Sequence, residues 1–286
     1  MNTQVAITIL LLVGLVTAVH SSSVNNDLNN EDAVVYPRKN YIMKIVVPLN
    51  SMTLNEDTDN KYLFYIDAQK GLYVEKNGEV TKLLTNVVDI AATMDNSNKV
   101  YLAATDGIYT FKAKDRIAEK YGSLTDNVIS IAVTSGTEEI YIITKEKVLY
   151  KVTDGGNSKV EIANVKDALG MALDGMNNLY FVDGKKQVFV RSTDGIVTKV
   201  KGLPENPTVV KLINGVGSSM SVSLFIDNIM YRVYFNGTCE FANFNSFNMA
   251  TATSPDSCLI YVDTHTETNT HTHTHTNSNC TCPSPN

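Results

Sequence analysis

Six times along the chain a short apolar segment ends in nearly the same letters: Leu63-Phe64-Tyr65-Ile66-Asp67, Val100-Tyr101-Leu102-Ala103-Ala104, Ile140-Tyr141-Ile142-Ile143-Thr144, Leu179-Tyr180-Phe181-Val182-Asp183, Ser223-Leu224-Phe225-Ile226-Asp227 and Leu259-Ile260-Tyr261-Val262-Asp263. With the second residue of each as anchor (64, 101, 141, 180, 224, 260), the steps are 37, 40, 39, 44 and 36 residues. A period of about 40 residues made only of strands belongs to radially arranged sheets. The expected fold class is therefore all-β, a single six-bladed β-propeller with about four antiparallel strands per blade. Such a ring leaves a central channel and two loop-lined mouths, so the repeat predicts where a ligand sits and not what it is.

Within a repeat the same grammar recurs: a first strand, the anchor strand, a tight turn, a third strand and a more polar fourth. In the second repeat these fall at 87–93, 99–104, 107–112 and 117–121. Turns such as Asp106-Gly107, Asn77-Gly78 and Asp194-Gly195 carry glycine where positive φ is needed. The sixth repeat has only two evident strands. Closure is expected to borrow the strand at 41–47, pairing the N- and C-terminal segments in one blade and removing exposed edges.

Around this core the chain divides simply. Residues 1–20 hold an apolar run, Val5 to Val19, followed by small residues, the pattern of a secretory signal peptide. The run falls short of the roughly 20 residues that span a bilayer. Residues 21–40 read as a flexible leader, 41–263 as the propeller, and 264–286 as a disordered Thr/His-rich tail ending in Cys-x-Cys. The expected localisation is secreted and extracellular, with no membrane partner. A net charge of -6 without a basic stripe argues against nucleic acid.

All four cysteines lie in the last quarter. Of the three connectivities in an oxidising compartment, Cys239 with Cys258 is favoured because it ties the fifth repeat to the sixth; it leaves Cys280 and Cys282 for each other, a strained small ring, or for a partner chain. Two sequons, at Asn236 and Asn279, are candidate glycosylation sites.

Counting back from each anchor to the first strand gives one matched position per repeat: Ser51, Asp89, Ser130, Gly170, Lys211 and Asn248. Each is followed by an apolar residue, so small or polar side chains are expected to ring the channel while their neighbours pack between blades. Asp89, Ser130, Lys211 and Asn248 are the candidate ligand-binding residues. The ring holds one carboxylate and a lysine, a poor set for a divalent cation, which wants several converging oxygens. The five histidines fall at His20, His265, His271, His273 and His275, outside the propeller, so no Ser-His chemistry is expected there. The aspartates Asp67, Asp183, Asp227 and Asp263 recur at one register and read as turn caps.

The stretches Asn98-Lys99-Val100-Tyr101-Leu102 through Asp106-Gly107-Ile108-Tyr109-Thr110-Phe111, and Met171-Ala172-Leu173-Asp174 through Asn178-Leu179-Tyr180-Phe181, resemble the ommochrome-binding proteins of moths and butterflies. The resemblance covers most of residues 41–263. It implies a secreted, non-enzymatic carrier that needs no cofactor and binds a planar aromatic pigment. Lys211 would then hold the pigment's carboxylate, with Ser130 and Asn248 orienting it and Asp89 accepting from a ring amine. The alternatives are a calcium-dependent lactonase or esterase, and an extracellular interaction scaffold.

Overall fold

The computed structural model describes residues 42–48, 62–76, 79–93, 95, 97, 99–213, 220–227 and 229–241, together with the backbone of strands at 250–254 and 260–263. The leader, the tail, Ser51, Asn77-Gly78, Asn248, Cys258, Cys280, Cys282, Asn279 and all five histidines lie outside them.

Alternation sets the strands. Each anchor strand is apolar on both faces because neighbouring sheets cover both: Leu63–Asp67 (β2) and Val100–Ala104 (β6) are buried at every residue. Four-stranded antiparallel meanders form around them. The first is Ile42–Val46 (β1), β2, Leu72–Lys76 (β3) and Glu79–Leu84 (β4). The second is Val87–Ala92 (β5), β6, Gly107–Lys112 (β7) and Ile117–Lys120 (β8). The third runs through Val128–Val133 (β9), Ile140–Thr144 (β10), Leu149–Thr153 (β11) and Ser158–Glu161 (β12). The fourth has Ala168–Leu173 (β13), Leu179–Asp183 (β14), Val188–Arg191 (β15) and Val197–Lys199 (β16). The fifth has Val210–Ile213 (β17), Ser221–Ile226 (β18), Ile229–Tyr234 (β19) and Cys239–Phe241 (β20).

The expected six blades are corrected here to five blades of four strands, followed by a two-stranded sheet, Ala250–Ser254 (β21) with Ile260–Asp263 (β22). The predicted closure also differs. β1 pairs with β2 as the inner strand of the first blade, and β21 lies beside β1 without joining its sheet. The physical reason is burial: Val46 packs with Phe64, Val87 and Ile90 between the first two blades, a place that only the inner strand of blade one reaches. Beyond Asp263 the Thr/His sequence offers no apolar strand to extend the last sheet.

The inner strands stand side by side around one axis, β1 next to β5, β5 to β9, β9 to β13 and β13 to β17. Apolar layers fill the spaces between blades. Phe64 meets Phe111 edge to face at 4.9 Å across the first interface, and Tyr180 is fully buried in the fourth. Glu138 of blade three takes hydrogen bonds from Lys99 and Tyr101 of blade two. At Gly107 (φ +131) the β6–β7 turn runs so close to Leu124 that a Cβ would lie 2.2 Å from its carbonyl oxygen, so no other residue fits.

One irregularity recurs. In blades one to four the inner strand carries a β-bulge, so that Ile42 and Lys44, Val87 and Asp89, Val128 and Ser130, and Ala168 and Gly170 pair with consecutive residues of the anchor strand. The two-stranded sheet repeats it between Ala250 and Ala252, whereas β17 pairs with β18 without interruption.

Candidate functional site

The residue that follows each bulge defines a layer around the axis. Lys44 pairs opposite Ile66, Asp89 opposite Ala103, Ser130 opposite Ile143 and Gly170 opposite Val182. In blade five Lys211 takes this place, opposite Phe225. Its neighbours Val210 and Leu212 pack on the cluster shared with blade four, so Lys211 turns the other way, as Asp89 turns toward blade three. Three of the four candidate binding residues, Asp89, Ser130 and Lys211, thus fall in one layer. The fourth, Asn248, lies outside the described residues, and the register gives the corresponding place in the two-stranded sheet to Ala252. Ser51 likewise yields its place to Lys44, a residue of the strand expected to close the ring.

Asp89 is the hub. Its Oδ2 accepts hydrogen bonds from Ser130 Oγ at 2.9 Å and from the Ile131 amide at 2.8 Å, while Oδ1 accepts from the Ile90 amide at 2.9 Å and forms an ion pair with Lys44. The carboxylate is buried and its acceptor positions are taken by four donors from three blades. A divalent cation would have to displace Lys44, and a base would have to shed its donors first. Among the described residues, no three His, Cys, Asp or Glu side chains converge as metal ligands. The arrangement holds the blades together at the axis and sets the local charge.

Among the described residues, the other half of the layer leaves room beside Gly170. A Cβ added at Gly170 would meet nothing within 4 Å, and the glycine backbone is in no conformation that excludes a side chain. Lys211 next to it is exposed to solvent yet surrounded by enough protein that desolvation lowers its pKa. Among the described residues the layer carries the ammonium groups of Lys44 and Lys211 and the carboxylate of Asp89, which pairs with Lys44.

Other polar groups are absorbed by structure. Asp67 Oδ1 accepts from the Gln69 and Gly71 amides at 3.0 and 2.8 Å, and Asp183 Oδ1 from the Lys185 and Gln187 amides at 2.9 and 2.8 Å, as turn caps. Asp227 works differently: its carboxylate receives the Thr208 and Val209 amides leading into β17. Burial, then the hydrogen bond to Glu139, pushes the Tyr141 hydroxyl up to about 12. Cys239 is a free thiol donating to the Lys201 carbonyl at 3.2 Å, its pKa raised by burial, and its expected partner Cys258 is not among the described residues. Asn236 and Thr238 are exposed in the β19–β20 turn, where Asn236 Oδ1 accepts from the Thr238 hydroxyl at 2.7 Å.

No protein-family model matches the chain, and no curated protein matches it. Solved structures do. PorZ, a bacterial surface component of the type-IX secretion system of Porphyromonas gingivalis, superposes with a TM-score of 0.54 at 12% identity, over 74% of this chain and 28% of that one. Virginiamycin B lyase from Staphylococcus aureus gives 0.51 at 16% identity over 73% of each chain. The fold is a β-propeller. The WD40 repeats of RRP9 superpose equally well, with 0.53 at 13% identity over 72% of this chain and 65% of that one. An enzyme and a repeat scaffold share this propeller at such low identity that the likeness extends to architecture alone. The chain spans little more than a quarter of the PorZ chain.

Proposed function

We propose that this propeller is an exported, non-enzymatic carrier that holds a planar aromatic small molecule with an acidic group in its axial site. An ommochrome-type pigment is the ligand to which the sequence resemblance points. The observation that carries the reading is the axial layer itself, where Lys211 stands in a desolvated position beside the open space at Gly170. A flat acid needs such a slot, with a cation to fix its carboxylate. The saturation of Asp89 by Lys44, Ser130 and two amides weighs against the lactonase alternative, which would require that carboxylate as a metal ligand or base.

Among the described residues no helix is long and apolar enough to cross a membrane, which fits export of the mature chain. The test is to isolate the protein from its natural source. The expected result is a visible absorption band that leaves with the small-molecule fraction on denaturing extraction, and a colourless protein with no extractable aromatic acid would overturn the reading. Recovery of the chain from the medium of secreting cells, with a glycan mass on Asn236, checks the export part.

A further inference from the structure

Cys239 points away from the sheet that brackets Cys258 in sequence. It opens β20 and pairs opposite Val233, so the two side chains share one face of blade five. That face is the one packed on blade four. Val233 is fully buried in a cluster with Val188, Val190 and Val200 of that blade, and Cys239 packs against the same cluster. Its thiol donates to the carbonyl of Lys201, in the connection that leaves blade four, and a Cβ added at Gly202 would lie 3.3 Å from the sulfur. Cys258 belongs elsewhere. It falls in the short link between β21 and β22, and β21 lies beside β1, so this sheet occupies the sector between blades one and five and not the filled seam between four and five. The body of blade five therefore stands between the two positions. Neighbouring sheets pack about 10 Å apart, whereas a disulfide needs Cβ atoms within about 4.5 Å.

The tail presents the complementary problem. Cys280 and Cys282 are separated by one residue, and a bridge between them closes a strained ring. Two cysteines parted by a sheet and two barred by strain leave one way to use all four. Resting on the export reading above, we infer that the Cys280-x-Cys282 unit of the C-terminal tail bridges to Cys239 with one sulfur and to Cys258 with the other, strapping the tail across blade five. Reach permits it. With one residue between its cysteines, the unit joins partners whose Cα atoms are as much as about 19 Å apart, wider than one sheet. The segment 264–279 extends to about 50 Å, long enough to carry the unit to the rim of the seam. Cys239 is a half-buried free thiol, so an oxidant reaches it. Each bridge forms when a thiolate displaces one sulfur of a disulfide oxidant of the export compartment and a second thiol resolves the mixed disulfide, the oxidant leaving as two thiols. Two such exchanges consume all four protein thiols. Burial of Cys239 lowers its thiolate fraction, so its bridge closes slowly. The strap encloses His265, His271, His273 and His275 in a loop anchored at both ends.

The test maps bridges in the full chain, taken from secreting cells and also made by oxidising the purified reduced protein in a glutathione buffer. Free thiols are blocked with iodoacetamide, and the unreduced chain is digested with a protease that cuts after Glu and Asp. Cuts at Glu240, Asp256, Asp263 and Glu267 put Cys239, Cys258 and the tail pair in separate peptides. The expected result is one species of three peptides held by two bridges, which falls apart only on reduction. In Cys258→Ser, Cys239 should stay bridged to the tail, and in Cys239→Ser, Cys258 should. A Cys239–Cys258 bridge, an alkylated Cys239 in the unaltered oxidised chain, or a bridge between two chains would each overturn the inference. If the strap forms in the glutathione buffer while the chain never reaches the medium, the strap stands and export falls. An exported, pigmented protein with Cys239 bridged to Cys258 keeps the carrier reading and removes the strap.

Discussion

Asp89 binds more of the molecule together than any other side chain at the axis, and its removal should be correspondingly costly. Asp89→Ala strands four donors, two of them backbone amides, and should lower stability by about 3 kcal/mol in chemical denaturation; Lys44→Met, which leaves three of the four bonds, should cost less. Equal and negligible effects would mean that the carboxylate is solvated rather than engaged. Lys211 should behave in the opposite sense. Its folded-state pKa lies below the unfolded value, so between the two the unfolded chain binds more protons and stability rises with pH. Lys211→Met should therefore raise the melting temperature of the ligand-free protein at neutral pH, a gain that shrinks as the pH climbs through the lysine's folded pKa toward its unfolded value. A group whose loss stabilises the empty protein while weakening an anion is the pattern of a site held ready at a cost. Counting back from the anchors put Asp89, Ser130, Gly170 and Lys211 at matched positions, and the strand register sets them in one layer. The counting missed Lys44, which is separated from its anchor by a long loop.

At the level of strands, burial falls steadily outward from the anchor. β6 is buried throughout, whereas β4, β8 and β12 have no buried residue. Hydrogen exchange followed by mass spectrometry should thus proceed from the outer strand of each blade inward, with β2, β6, β10 and β14 slowest; uniform protection across a blade would contradict this. The anchor strands were legible because a run apolar on both faces has few alternatives at that length. The bulges were not, since an inserted residue changes neither composition nor period. The fifth blade, with no bulge and an anchor strand one residue longer, also moves Asp227 from capping its own turn to receiving amides from the lead-in to β17.

For the whole molecule the repeat gave the right architecture and the wrong blade count. Six anchors are present, but an anchor makes a blade only if partners follow it, and the sixth is followed by a polar tail. The N-terminal strand, read as a loan to the end of the chain, instead buries Ile45, Val46 and Val47 within the start. Among the described residues the axial layer is consequently lopsided, with the Lys44–Asp89 ion pair on one side and Lys211 near the uncrowded Gly170 on the other. A guest held there meets a different environment at each edge and has one way to lie. An achiral dye bound in it should acquire a signed induced circular dichroism band, of fixed sense from preparation to preparation, and the handedness of that optical signal would report the asymmetry that a ring of identical repeats would have averaged away.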